Sequence, residues 1–234
     1  MFRGEHPELG RVLGRALAQA RQLGHPRAGS EHLLLALTET SAVGTVLAGH
    51  GATTATLREA AGRAAPAGAG AAADRDTLAP LGIDIDRMLT GSWPALADRP
   101  PAREPLLPFG AAKARRRCAR LSPPLGLDAQ AAYEASLRLA LARREREHRP
   151  EHLALALVAL DPGAAWVLTT AGVNAQALLT DLAAAFPPPH RNSLLRAERR
   201  FGRRIRHHDI VRRYQHTTGR TATAGATVAA LISG

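Results

Sequence analysis

The chain has 234 residues, 45% of them apolar but only 3% aromatic, and a formal net charge of +11. This apolar content supports a buried core and excludes a disordered polypeptide; because it is mostly Ala and Leu, with few β-branched runs, it points to an all-α fold rather than sheets. The charge is uneven: residues 1–186 carry 21 Lys and Arg against 18 acids, residues 187–234 carry 10 Arg against 2 acids, so the basic character belongs to an appendage.

The first segment, residues 1–63, reads as four helices. Leu9, Val12, Leu13, Ala16, Leu17, Ala20 and Leu23 recur at helical spacing and form one apolar stripe. Gly24 closes that helix and His25-Pro26 makes a turn. Ser30 is a suitable N-cap for a short apolar helix over Glu31 to Thr38. A third helix covers Ser41 to Ala48 and ends at Gly49 and Gly51. A fourth starts at Thr53 or Thr54, with Leu57 turned inward.

Residues 64–127 read as a linker with short helices. Ala64 to Ala73 is Ala/Gly-rich and is expected to be flexible. Asp76 to Leu89 has the pattern of a short helix, and Pro94 to Pro108 holds too many prolines for regular structure. Residues 128–186 then repeat the first segment. Ser30-Glu31-His32-Leu33-Leu34-Leu35-Ala36-Leu37 returns as Pro150-Glu151-His152-Leu153-Ala154-Leu155-Ala156-Leu157. At the same offset Leu13 falls on Tyr133 and Leu17 on Leu137. One residue further on, Gly51 falls on Gly172 and the capping residue Thr53 on Asn174. Matching helices in both halves predict a duplicated architecture. Residues 187–234 form an Arg-rich helical tail, with a break at Thr217-Thr218-Gly219 and either a short last helix or a frayed end over Ala222 to Ile232.

Leu23-Gly24-His25 followed by Gly29-Ser30-Glu31-His32-Leu33-Leu34-Leu35, duplicated at this spacing, resembles the Clp repeat (Clp N-terminal) domain that precedes the ATPase modules of Clp chaperones. The second copy keeps Glu151-His152-Leu153 but reads Arg143-Arg144-Glu145 in place of Leu-Gly-His, and Pro150 in place of Ser or Thr. The resemblance implies two four-helix repeats related by a pseudo-twofold axis. It also implies a binding role toward a Clp-type chaperone, an adaptor or a peptide substrate. The expected protein is a stand-alone member without the motor. A phosphate-binding loop needs Gly-x-x-x-x-Gly-Lys-Ser/Thr, and the only lysine is Lys113, in Gly110-Ala-Ala-Lys-Ala.

The resemblance further implies that Glu31 and Glu151 pair with the guanidinium of a phosphoarginine-marked substrate, with the helix N-terminus and the Ser30 hydroxyl near the phosphate. The simpler role for both acids is to complement the helix dipole, worth roughly 0.3–1 kcal/mol each. At Glu151 the preceding Pro150 supplies neither hydroxyl nor N–H. His32 and His152 read as packed or capping residues. No spacing of His, Cys and acids matches a metal site, and no cofactor is expected. No nucleophile–base pattern appears, so catalysis is not expected.

The tail offers an alternative. Arg196, Arg199, Arg200, Arg203 and Arg204 could bind nucleic acid through counterion release, although few aromatics accompany them. The competing reading is a solvated helix whose apolar face packs on the repeats. Cys118 is the single cysteine, so no intrachain disulfide forms. The first residues lack the apolar stretch of a signal peptide, and no window is long and apolar enough to span a membrane. A cytoplasmic protein is expected.

Overall fold

The computed structural model describes residues 2–84, 120–189 and 207–233. The first half forms α1 (Pro7–Gln22), α2 (Ser30–Leu37), α3 (Ser41–Gly49) and α4 (Thr54–Arg63). Then come α5 (Ala69–Leu78) and a 3-10 turn, Ala79–Leu81. The second half forms α6 (Leu127–Ala142), α7 (Pro150–Leu160), α8 (Pro162–Thr170) and α9 (Ala175–Ala185). The C-terminal segment adds α10 (His207–Thr218), a 3-10 turn at Gly225–Thr227 and α11 (Val228–Ser233). Strand content among the described residues is confined to two short segments, β1 (Gly4–Glu5) and β2 (Glu147–His148), and one isolated bridge. The all-α reading stands.

The sequence copies have matching local chemistry. Thr53 caps α4 by accepting from the Thr56 N–H at 3.2 Å, and Asn174 caps α9 by accepting from Ala177 N–H at 3.0 Å. Gly51 and Gly172 take nearly the same left-handed φ, 76° and 75°. Gly24 ends α1 at φ 68°, and its counterpart Arg144 follows α6 at φ 61°. The second copy has therefore lost the glycine of the turn but kept its backbone shape, which costs an L-residue about 1–2 kcal/mol.

The halves are stitched together by exchanged backbone pairs. β1 runs parallel to β2, with Gly4 opposite Glu147 and Glu5 opposite His148. Ala28, in the α1–α2 turn, pairs in parallel with Leu125, just before α6. His6 N–H donates to the His148 carbonyl at 2.9 Å, and Gly126 N–H donates to the Ala28 carbonyl at 3.0 Å. Each half thus lends the strand before its first helix to the first interhelical turn of the other.

The core lies around α2 and α7, which are apolar on nearly all sides. Leu33, Leu34, Leu35 and Leu37 are wholly buried, as are Leu153, Leu155 and Leu157. A helix apolar all round belongs in the interior. α1 contributes its predicted stripe through Leu9, Val12, Ala16 and Ala20, and α6 through Ala132, Ala135 and Leu139.

Two expectations are corrected. The second half of the segment read as a flexible linker from Ala64 to Ala73 belongs to α5, which packs on α8 and buries Ala69, Ala72 and Ala73. Its small side chains, which looked like linker composition, allow close helix approach. The helix expected over Asp76 to Leu89 ends within the described residues at Leu78, followed by the 3-10 turn, and residues 85–89 lie outside them. In the tail, α10 buries Ile210 and Tyr214 and lies on α6, while Val228 and Leu231 are also buried. This matches the packed-helix reading of that segment. Arg196, Arg199, Arg200, Arg203 and Arg204, and also Lys113 and Cys118, lie outside the described residues.

Candidate functional site

The shared Glu-His-Leu text has a structural cause. In the first copy Gly29, not Ser30, is the N-cap of α2, and Ser30 is the first helical residue. His32 at the third helical position turns back, and its Nδ1 accepts the Gly29 N–H at 3.0 Å. In the second copy His152 Nδ1 accepts the Arg149 N–H at 3.1 Å. The histidine thus fills the place that Glu or Gln takes in a capping box. Both histidines are almost completely buried.

Ser30 faces inward and is fully buried. Its hydroxyl lies 2.6 Å from Asp161 Oδ1 and 3.2 Å from Asp128 Oδ2, and its N–H donates to Asp128 Oδ2 at 3.3 Å. The hydroxyl expected beside a phosphate is therefore engaged with acids from the second half, and Asp128 sits where an anion would meet the start of α2. Asp161 also accepts from the Ala164 N–H and from the Tyr214 hydroxyl, both at 2.6 Å. Burial, then the charge of Asp128, pushes the Asp161 carboxyl up to about 6. Burial, then the charge of Glu31, pushes Asp128 up as well. Tyr214 is raised by burial and by Asp161, so it stays a neutral donor.

Glu31 is 2% exposed and lines a cavity of about 390 Å³. Its Oε1 lies 3.2 Å from His32 Nδ1, whereas its Oε2 is buried without a partner. Burial pushes the carboxyl up, but the His32 ring beside it, its own backbone N–H and His25 together outweigh that and hold it below its ordinary value. An ionised carboxylate with one bare oxygen is an unfilled acceptor, and leaving it so is costly. Glycines make the room. A Cβ at Gly29 would run into the Glu31 carboxylate, and one at Gly68 would sit 3.3 Å from Oε1.

His25 stands edge-on to His32 with ring centroids 4.9 Å apart, and burial then His32 lowers its pKa. Potential ligand atoms of His25, Glu31 and His32 lie within 4.8 Å of one another. While His32 Nδ1 accepts from Gly29, however, its Nε2 carries the ring proton and has no lone pair for a cation.

The cavity draws on four parts of the chain. Glu31 and His25 come from the first copy and its turn, Gly68 and Gly70 from the start of α5, and Asp128 from the first turn of α6. Thr218 and Arg220 come from the C-terminal segment. Arg220 is fixed by Asp74 of α5: Nε lies 3.0 and 2.9 Å from the two carboxylate oxygens and Nη2 2.7 Å from Oδ2. Glu151 is not part of this cavity. It is half-buried in the first turn of α7, where its charge supports that of Arg143. Sequence reading singled out Ser30 and Glu31 but missed Asp74, Asp128, Asp161, Tyr214 and Arg220. Periodicity carries no trace of them, because each reaches the site only through packing of segments distant in sequence.

Residues 7–93 match the model of the Clp repeat (R) N-terminal domain family. The chain is also similar to the crystal structure of the N-terminal domain of the caseinolytic protease associated chaperone ClpD from Arabidopsis thaliana. Sequence identity is 18%, the TM-score is 0.46, and the similarity covers 77% of this chain and 92% of that one. No curated protein matches the chain.

Proposed function

We propose that the protein is a non-enzymatic binding module of the kind that docks substrates and adaptors for Clp chaperone-proteases, and that its cavity receives a guanidinium group on a degradation-marked peptide, of the phosphoarginine type. A module of this kind delivers ligands to a Clp-type chaperone or competes with it for them. The observation that supports this reading is the bare Oε2 of Glu31, buried, ionised and bordering a cavity large enough for an arginine side chain. A guanidinium offers a fork of N–H donors and a permanent charge, which suits a carboxylate in a poorly solvated site. On this reading Glu31 is the ligand-binding residue, while the Ser30 hydroxyl serves the two acids of the second half.

Titration calorimetry of the full chain with phosphoarginine tests the reading. Binding is expected, and Glu31→Gln, which removes the charge but keeps the shape, is expected to weaken it at least tenfold. The absence of heat at millimolar ligand would remove the proposal.

A further inference from the structure

The cavity walls carry both signs of charge. Glu31 and Asp128 face it from the two copies, and Arg27 and Arg220 face it from the α1–α2 turn and the C-terminal segment. Arg220 is held in place on one edge only. Asp74 takes its Nε and Nη2, and Nη1 has no part in that pair. Gly70 lets the guanidinium lie flat against α5, since a Cβ there would stand 2.8 Å from Cζ.

The segment that delivers Arg220 is itself pinned on both sides. Tyr214 donates to Asp161, and beyond Arg220 the Ala224 N–H donates to the Ala159 carbonyl at 2.8 Å. A guanidinium clamped by a carboxylate on one edge presents its other N–H groups with little entropy left to lose, the arrangement that recognises oxyanions.

We propose that Arg220 makes the cavity selective for a dipolar ligand, with its cation on Glu31 and an oxyanion on the free edge of Arg220. This rests on the reading of Glu31 given above and adds the second half of the ligand. Burial raises the carboxyls of both Asp128 and Asp161, so together they oppose an incoming anion less than two solvated carboxylates would. The oxyanion can be a phosphoryl group on the guanidine or the free carboxylate of a terminal arginine.

Three blocked probes separate these cases in calorimetry with the full chain: acetyl-arginine amide (cation alone), acetyl-arginine (cation and carboxylate) and acetyl-phosphoarginine amide (cation and phosphoryl). At least one dipolar probe is expected to bind the wild-type protein ten times more tightly than the amide, and which one does identifies the oxyanion. Arg220→Gln should erase that margin, and because it takes a cation out of the cavity wall the amide should bind it no more weakly than it binds the wild type. Arg220→Lys, which keeps the charge and the docking of the segment, should shrink the margin. If the amide binds the wild type as well as both dipolar probes, or if the margin survives in both variants, the role of Arg220 is overturned while that of Glu31 stands. If none of the three binds, the reading of Glu31 falls with it.

Discussion

The Ser30 hydroxyl, at the start of α2, lies 2.6 Å from Oδ1 of Asp161, the N-cap of α8. The two residues are 131 positions apart and both are fully buried. This contact joins the two copies at their centre. Ser30→Ala leaves the fully buried Asp161 and the half-buried Asp128 short of a donor. The expected cost is about 1–3 kcal/mol, read as a lower denaturant midpoint with unchanged slope. An unchanged midpoint would mean that the junction contributes nothing.

The same junction makes stability depend on pH. Asp161 titrates at about 6 in the folded protein against 3.8 ordinarily. An acid raised by folding stabilises most below its unfolded value, and that contribution is lost as pH rises from about 4 to 6. At 1.36 kcal/mol per unit the full swing is about 3 kcal/mol. Glu31, whose pKa is lowered, acts in the opposite sense: its contribution is present at neutral pH and lost as pH falls through the acid range. Comparing wild type with Asp161→Asn at each pH separates the two. The variant should lose most relative to wild type near pH 4, and the gap should narrow by pH 7. A constant gap would contradict the assignment.

The capping role of the paired histidines is testable in both copies. His32→Ala and His152→Ala each free a backbone N–H at a helix start, buried at Gly29 and partly exposed at Arg149. Each should cost about 1–2 kcal/mol, combining a lost cap with lost packing. Thermal melts of the two variants should shift by similar amounts. If only His32→Ala shifted the melt, its role would be confined to the cavity.

Arg144 adopts φ 61° where the first copy has Gly24 at 68°. Arg144→Gly should therefore stabilise the protein by about 1 kcal/mol, less the extra entropy of a glycine in the unfolded chain. The reverse experiment, Gly24→Ala, should destabilise it by a similar amount. Chemical denaturation of the two variants checks the pair, and a loss of stability in Arg144→Gly would show that the arginine side chain outweighs the backbone strain.

The Tyr214 hydroxyl fastens the C-terminal segment to Asp161 at 2.6 Å. Tyr214→Phe keeps the ring in the core but removes a donor from a buried carboxylate, at a cost of about 1–3 kcal/mol. Hydrogen exchange should accelerate in α10 more than in α2. Uniform acceleration would indicate that the segment is not an independently opening unit.

Local pattern settled most of the architecture. The stripe of α1, the apolar runs of α2 and α7, Gly51 with Gly172, and Thr53 with Asn174 are all short-range signals, and each element forms where its residues predict. The failures have a shared cause. Ser30 has the right chemistry for an N-cap, yet Gly29 takes that place, because the two acids brought by the second half claim the hydroxyl. Ala64 to Ala73 has the composition of a linker, yet its second half is helix, because α8 provides a surface on which small residues pack. Glu31 was legible as a candidate from its motif, but its bare oxygen was not.

By itself, then, the sequence determined an all-helical chain written twice, its helix ends, and one acid at the head of a buried helix, because propensity, capping and periodicity act over a few residues. Only the tertiary structure decided which of the two acids borders a cavity, and that Asp128 and Arg220, the latter held by Asp74, complete its walls. Those residues meet through the exchanged strands and the docked C-terminal segment, and contacts across such distances leave no periodic mark in the chain.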